Sequence, residues 1–212
     1  MRLDHVSYVA SHDQISDVVN RIGSQIGTAF VDGGIHPKFG TRNFTAPLLN
    51  GQYIEVVCPM DHPATDVTPF GRAVKKKAEE GGGWMTWVLS TIDLSEVESK
   101  LKRNAVIGIR RLPNGDELTW KQIGVQEIIE NNHYPFFIQW LSKHHPSTQG
   151  AIPVSKIKEL DMNGSGAAFE DIFDIELLTS TSGVKFKFQI DQNTNQLNSI
   201  TFEVNGEMIK VD

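Results

Sequence analysis

The chain has 212 residues and a formal net charge of −6, which argues against a nucleic-acid partner because such partners require a basic surface. Its single cysteine, Cys58, excludes an intramolecular disulfide framework and a cysteine-rich zinc site. No apolar run approaches the roughly 18 residues of a membrane span, and the first ten residues lack the pattern of a signal peptide, so we expect a cytoplasmic protein without a membrane partner.

The first sixty residues predict one strand, one helix and three further strands. Residues 3–10 form a short apolar-rich stretch that is typical of a strand. Apolar residues at helical spacing then predict a helix that ends at Gly23: Ile15, Val18, Val19 and Ile22. A turn at Gly33-Gly34 and a hairpin turn at Asn50-Gly51 separate the strands that follow. We therefore predict a first βαβββ module over residues 1–60.

The same order of elements returns after a connector, residues 61–83, which is rich in proline, lysine and glycine. The helical positions Ile15, Val18 and Ile22 match Leu94, Val97 and Leu101 at one offset of 79 residues. Strand and hairpin patterns follow that second helix, ending in the strand 135–140. The sequence therefore predicts an internal duplication, with a second βαβββ module over residues 84–150.

Residues 151–212 do not repeat the βαβββ pattern of the two modules. Strict alternation over 184–190 predicts a half-exposed strand, and a turn at Asn193-Thr194-Asn195 returns the chain into a second strand. The segment 169–178 fits either a helix or a strand. We predict a β-rich C-terminal extension that packs on module two, and so an α+β fold overall.

Several short sequence motifs resemble those of the glyoxalase-like domain family of the vicinal oxygen chelate superfamily, which includes glyoxalases and extradiol dioxygenases. They occur in the family's order between residues 3 and 146: Leu3-Asp4-His5-Val6, Gly33-Gly34-Ile35-His36-Pro37-Lys38-Phe39-Gly40-Thr41-Arg42-Asn43, Tyr53-Ile54-Glu55-Val56-Val57, Phe70-Gly71-Arg72, Pro135-Phe136-Phe137-Ile138-Gln139-Trp140 and His145-Pro146. The resemblance implies that the two modules form one curved mixed sheet, with a ligand or metal site in the cleft between them.

The resemblance also implies a metal-ligand role for His5 on the first strand and Glu55 on the fourth. The internal offset places the counterpart of His5 near Trp84 and that of Glu55 near Tyr134, and the nearest strand residue with a donor oxygen is Gln139. His5, Glu55 and Gln139 suit Zn, Fe, Mn or Ni, but one imidazole and one carboxylate hold a divalent ion poorly. A site without metal therefore stands beside the metal site.

The stretch from His36 to Asn43 is dense in polar groups, as in ligand-binding loops. Arg42 offers a guanidinium fork for a carboxylate, and Asn43 both donates and accepts hydrogen bonds. His36 titrates near neutral pH and, like Glu55, is a candidate catalytic base. A loop held by its own hydrogen bonds, with Arg42 as a strut, explains the same residues. We also expect Trp84 and Phe137 to line an apolar pocket, or else to be core.

Three functions remain open at this point. The first is a lyase, isomerase or dioxygenase that binds a small, oxygenated and anionic metabolite, with or without metal assistance. The second is a metal-free binding or resistance-type sequestering protein, and the third is an interaction protein whose extension completes a homodimer. A small-molecule ligand is the expected partner in the first two cases.

Overall fold

A computed structural model describes residues 1–190 and 194–212 of the chain. Module one contains the predicted order of elements: β1 (Arg2–Val9), α1 (Ile15–Ile26), β2 (Val31–His36), β3 (Thr41–Leu48) and β4 (Gln52–Pro59). Helix α1 continues past Gly23 and ends at Gly27, which adopts a left-handed φ of 67°. The predicted turn at Gly33-Gly34 is wrong, because both glycines lie within β2, at an irregularity in its pairing with β3.

Two helices, α2 (Pro63–Val67) and α3 (Pro69–Glu79), occupy the connector. Module two then repeats the βαβββ order: β5 (Gly83–Ser90), α4 (Ser95–Leu101), β6 (Val106–Arg111), β7 (Glu117–Ile123) and β8 (Pro135–Trp140). The eight strands of the two modules close into one barrel in the order β1-β4-β3-β2-β6-β7-β8-β5. The expected curved mixed sheet is thus confirmed, with parallel pairs β1–β4 and β5–β8 and antiparallel pairs elsewhere.

Strand pairing between β1 and β5 gives the duplication a precise register. Asp4 is an extra residue on β1, between the pairs Leu3–Leu89 and His5–Val88, and Met85 is an extra residue on β5 between two later pairs. The two bulges occupy equivalent positions about the two-fold relation of the modules. The spacing from Asp4 to Met85 also relates His5 to Thr86 and Glu55 to Phe136, which corrects the counterparts inferred from the helices.

The C-terminal extension is β-rich, as predicted, and contains one helix. Its elements are β9 (Ser155–Asn163), α5 (Ile175–Ser182), β10 (Lys185–Gln189), β11 (Gln196–Val204) and β12 (Glu207–Val211). The four strands form a separate sheet in the order β10-β9-β11-β12. The predicted turn at Asn193-Thr194-Asn195 begins with a residue that lies outside the described part of the chain.

The extension covers the outer face of the barrel and shares one apolar core with it. Phe202 of β11 packs near Trp84 of β5, with ring centroids 6.3 Å apart, while Ile22 and Ile26 of α1 belong to the same buried cluster. The extension therefore contacts both modules. Across the described residues, no helix has the length and apolar character that crossing a membrane requires.

Candidate functional site

A small pocket that is partly open to solvent lies inside the barrel, where side chains of both modules meet. It is lined by His5, His36, Phe39, Tyr53, Glu55, Phe70, Arg110, Trp120, Gln122, Phe136, Ile138 and Trp140. The space that a water molecule can enter within it is about 20 Å³. Most of the wall is aromatic, and the charged groups that face it are few, so each of them has a definable role.

Glu55 is the buried carboxylate of this pocket. Its Oε2 accepts a hydrogen bond of 2.8 Å from Ser7 Oγ, and its Oε1 accepts one of 2.6 Å from Asn43 Nδ2. Burial raises the pKa of Glu55, but the imidazoles of His36 and His5 and these two hydrogen bonds lower it by more, so the net pKa lies below its ordinary value. Glu55 is therefore an anion at neutral pH and is available to accept a proton.

His36 lies beside Glu55, with its Nε2 3.9 Å from Glu55 Oε1. Its Nδ1 lies 2.8 Å from Thr41 Oγ1, and its ring packs edge-on against Phe70 and Trp120. Burial lowers the pKa of His36 to about 4, although the charge of Glu55 opposes the shift. The imidazole is therefore neutral at pH 7.

We expect His36 to stay neutral until the pH falls to about 4, which an NMR titration of its ring ¹³C and ¹⁵N shifts measures directly. Unfolded chains bind this proton near pH 6.5, so the free energy of unfolding should fall between pH 6.5 and 4, by about 3 kcal/mol at most. The variant His36→Gln should lose that part of the acid sensitivity. A titration midpoint near 6.5 in the folded protein would contradict this assignment.

His5 faces the same pocket from β1. Its ring stacks on Tyr53 with centroids 4.3 Å apart and an interplanar angle of 19°, and its Nδ1 lies 2.8 Å from Asp4 Oδ1. Asp4 is fully buried, and hydrogen bonds from His145 and His5 outweigh the effect of burial, so the pKa of Asp4 lies well below its ordinary range. A permanent anion therefore supports one nitrogen of His5.

Arg110 supplies the buried cation of the pocket. It lies on β6 and is only 2% exposed, and its Nε and Nη2 have no hydrogen-bond partner among the described residues. Burial lowers the pKa of Arg110, while the charges of Tyr53, Glu55 and Asp32 raise it. A guanidinium with unused donors in the wall of a pocket is a binding group for an anion.

Two glycines make room for these side chains. A Cβ at Gly33 would overlap the Asn43 carboxamide, and a Cβ at Gly108 would overlap the indole of Trp120. Asn43 holds Glu55, and Trp120 forms part of the pocket wall. Both glycines thus allow the strands β2 and β6 to approach the polar centre closely.

Four of the predicted site residues come together in the structure. His5, His36 and Glu55 line the pocket, and Asn43 holds Glu55 from β3. Their convergence needs only the sheet of module one, because β1, β4, β3 and β2 are consecutive neighbours in the barrel.

Four other predicted residues lie elsewhere. Arg42 pairs with Asp32 at 2.5 Å and covers the ring of Phe44, outside the pocket. Gln139 points away from the interior and donates to the carbonyl of Ile92. Trp84 and Phe137 lie in the core beneath the second sheet, where Trp84 Nε1 donates to the carbonyl of Val211 and Phe137 contacts Phe173. The pattern of pocket-lining residues explains the difference on β8: Phe136, Ile138 and Trp140 face inward, so Phe137 and Gln139 face outward.

The side chains of the pocket do not fit the metal that the resemblance implies. Gln139 is on the wrong face, so one of the three predicted ligands is missing from the pocket. Within the described parts of the chain, no three His, Cys, Asp or Glu residues are placed to share one metal ion. The cationic Arg110 in the same pocket would in addition repel a divalent ion.

Sequence reasoning missed Arg110, Asp4 and Tyr53. The strand containing Arg110 was predicted, but no inward face was assigned to it. The pair Arg110-Arg111 carried the available signal, because adjacent strand residues face opposite sides and one of two arginines must therefore point inward. The contact between Asp4 and His5 could not be predicted, because the β-bulge that turns Asp4 toward His5 has no signature in this sequence.

The first of three similar solved structures shares the fold of this chain. A hypothetical protein from Staphylococcus aureus is 16% identical, with a TM-score of 0.60 over 99% of this chain and 84% of that chain. Methylmalonyl-CoA epimerase from Mycobacterium tuberculosis is 13% identical, with a TM-score of 0.44 over 67% of this chain and 89% of that chain. A Streptomyces coelicolor methylmalonyl-CoA epimerase in complex with 2-nitronate-propionyl-CoA is 13% identical, with a TM-score of 0.41 over 67% and 99%.

Comparison of the sequence with curated proteins and with family models gives one match. No curated protein matches the chain. A family model described as a glyoxalase-like domain matches residues 3–170, which cover both modules and the start of the extension. The chain therefore belongs to the glyoxalase-like domain family.

Proposed function

We propose that the barrel pocket binds a small keto carboxylate and that Glu55 removes a proton from the carbon next to the keto group. The observation that carries this proposal is the buried guanidinium of Arg110, with two nitrogens that have no partner among the described residues, in the same pocket as the buried carboxylate of Glu55. One group supplies an anchor for an anion and the other supplies a base.

Arg110 is the proposed anchor for the ligand, because its burial is costly in free energy. A buried cation whose donors are unpaired is unfavourable unless an anion completes it. Glu55 attracts Arg110 electrostatically, but the hydrogen bonds to Glu55 come from Ser7 and Asn43 rather than from Arg110. A ligand carboxylate would occupy the free donors with charge-assisted hydrogen bonds.

The proposed chemical step is a proton transfer. The C–H bond next to the keto group breaks, its proton passes to a Glu55 oxygen, and the electron pair moves onto the keto oxygen as an enolate. Return of the proton to either end of the enolate completes an isomerisation or an exchange with solvent, so no oxidant or reductant is needed. The negative charge that develops lies near Arg110, which favours the transition state.

The aromatic walls limit the size of the ligand. The free space of about 20 Å³ holds about one water molecule, so ligand entry requires movement of the side chains at the wall. Phe39 and Phe70 contact each other and His36, and Phe70 belongs to the connector rather than to the barrel strands. A ligand of three to four carbons demands the least displacement of these rings.

Binding without turnover is the second candidate function. The aromatic wall around Arg110 favours it, because such a pocket sequesters a small anion from water without any proton transfer. Glu55 then serves only to balance the charge of Arg110. The two functions differ in one measurable consequence, which is exchange of ligand protons with solvent.

The test uses pyruvate as the probe. We expect pyruvate to raise the melting temperature of the protein and its methyl protons to exchange with D₂O faster than in a protein-free blank, followed by ¹H NMR. Chelator-treated protein should behave identically, because the step needs no metal from this donor set. Stabilisation without exchange would support sequestration, and the absence of both effects with pyruvate, 2-oxobutyrate and hydroxypyruvate would overturn the proposal.

A further inference from the structure

The bulge at Asp4 gives His5 an unusual partner. Successive residues of a regular strand face opposite sides, yet Asp4 Oδ1 lies 2.8 Å from the Nδ1 of its neighbour His5. The extra residue on β1 accounts for this, because a bulge redirects one side chain. Asp4 is buried with no exposed area, so it serves the pocket rather than the solvent.

The carboxylate of Asp4 is surrounded by donors. Besides His5, it accepts hydrogen bonds from Arg2 Nη2 at 3.0 Å, from His145 Nε2 at 3.2 Å and from Trp140 Nε1 at 3.3 Å. Since a carboxylate only accepts, Nδ1 of His5 must carry the proton that it shares with Asp4. The other nitrogen, Nε2, is then an acceptor in the neutral ring.

This acceptor has no use within the protein. Among the described residues, no group forms a hydrogen bond with His5 Nε2, although the ring lines the pocket. Stacking on Tyr53 and an edge contact with Phe136 fix the orientation of the ring. The pocket therefore offers one unused acceptor in addition to the donors of Arg110.

We propose that Asp4 is a positioning residue that fixes the Nδ1–H tautomer of His5, and that His5 Nε2 accepts a hydrogen bond from a hydroxyl group of the ligand. The ligand class becomes a small hydroxy-keto carboxylate, with its carboxylate at Arg110, its hydroxyl at His5 and its acidic C–H at Glu55. This refinement rests on the proposed function for its ligand, but the tautomer of His5 is a property of the protein alone.

The tautomer is measured first, without a ligand, by long-range ¹H–¹⁵N NMR at pH 7.5. We expect a ring proton of His5 on Nδ1, which lies 2.8 Å from Asp4 Oδ1, and none on Nε2. In Asp4→Asn the amide oxygen should face Arg2 and His145, which both donate at the Oδ2 position, so the amide nitrogen faces His5 and shifts its proton to Nε2. His145→Gln is the matched control, because it removes another neighbour of Asp4 and should leave the tautomer of His5 unchanged.

The ligand is tested with hydroxypyruvate and pyruvate, which differ by one hydroxyl group, using calorimetry. We expect the wild type and His145→Gln to bind hydroxypyruvate about 10-fold more tightly than pyruvate, and Asp4→Asn to lose this preference. A wild-type His5 protonated on Nε2, or doubly protonated, overturns the inference without any variant. Equal binding of both probes by the wild type also overturns it and leaves the proposed function intact, whereas binding of neither probe contradicts the proposed function itself.

Discussion

Arg110→Met is expected to abolish pyruvate binding and, at the same time, to make the ligand-free protein more stable. The guanidinium is buried with two unpartnered nitrogens, which is costly in the absence of an anion. Methionine fills a similar volume with apolar atoms, so we expect the free energy of unfolding to rise by about 1 to 2 kcal/mol. Urea denaturation with and without pyruvate measures both effects.

The opposite signs of the two effects make this variant informative. A structural arginine would lower stability when removed, and a binding arginine that is unsatisfied in the free protein would raise it. The gain is limited because Arg110 also attracts Glu55, and its loss leaves that carboxylate with only the hydrogen bonds from Ser7 and Asn43. A stabilising substitution that destroys binding is the pattern expected of a functional site.

Arg111→Met is the matched control. Arg111 is the next residue on β6, its side chain is exposed, and it pairs with Glu117 at 3.1 Å on the surface. We expect its substitution to change stability by less than about 0.5 kcal/mol and to leave pyruvate binding unchanged. If Arg110→Met lowered stability strongly while Arg111→Met did not, Arg110 would be a structural strut and its role as an anchor would be wrong.

Local patterns were sufficient to predict the strands and helices of the two modules. Alternating or apolar runs marked the strands, and β8 was predicted at its observed bounds, Pro135–Trp140. The duplication was visible because both modules bury the same kind of helix face, as Ile22 and Val97 show. The curved sheet shared by the two modules was predicted only through the family resemblance, since pairs such as β1–β5 depend on contacts between residues far apart in the chain.

The candidate site was harder to predict, because it depends on which face of each strand points inward. Gln139 and Arg42 carry side chains suited to ligand binding, but both lie on outward-facing positions of their strands. On β8 the inward-facing neighbour of Gln139 is Ile138, and the arginine that does line the pocket is Arg110 of β6. A shift of one residue exchanges the two faces, and the bulge at Asp4 makes such a shift within β1 itself. Glu55 and His5 were found because the resemblance named their positions, not because their own strands revealed a direction.

Glu55→Gln is expected to separate chemistry from binding. The amide keeps the shape of the side chain but cannot accept a proton, so the exchange of pyruvate protons should fall by about 10² to 10⁴-fold. Ser7 Oγ can still donate to the amide oxygen, and Asn43 has an unpartnered Oδ1 that can face the new amide nitrogen after a flip of its own amide. Pyruvate affinity should therefore change little, because the substitution leaves the donors of Arg110 in place.

A second observable tests whether Glu55 acts as an anion beside His36. Its negative charge raises the pKa of His36, against the lowering caused by burial, so removing the charge should move that pKa below its present value of about 4. Glu117→Gln, on the exposed surface of β7, is the control and should affect neither His36 nor proton exchange. If exchange persisted in Glu55→Gln at the wild-type rate, the base would be another group, and the neutral imidazole of His36 at 3.9 Å from Glu55 would be the one in reach of the same ligand.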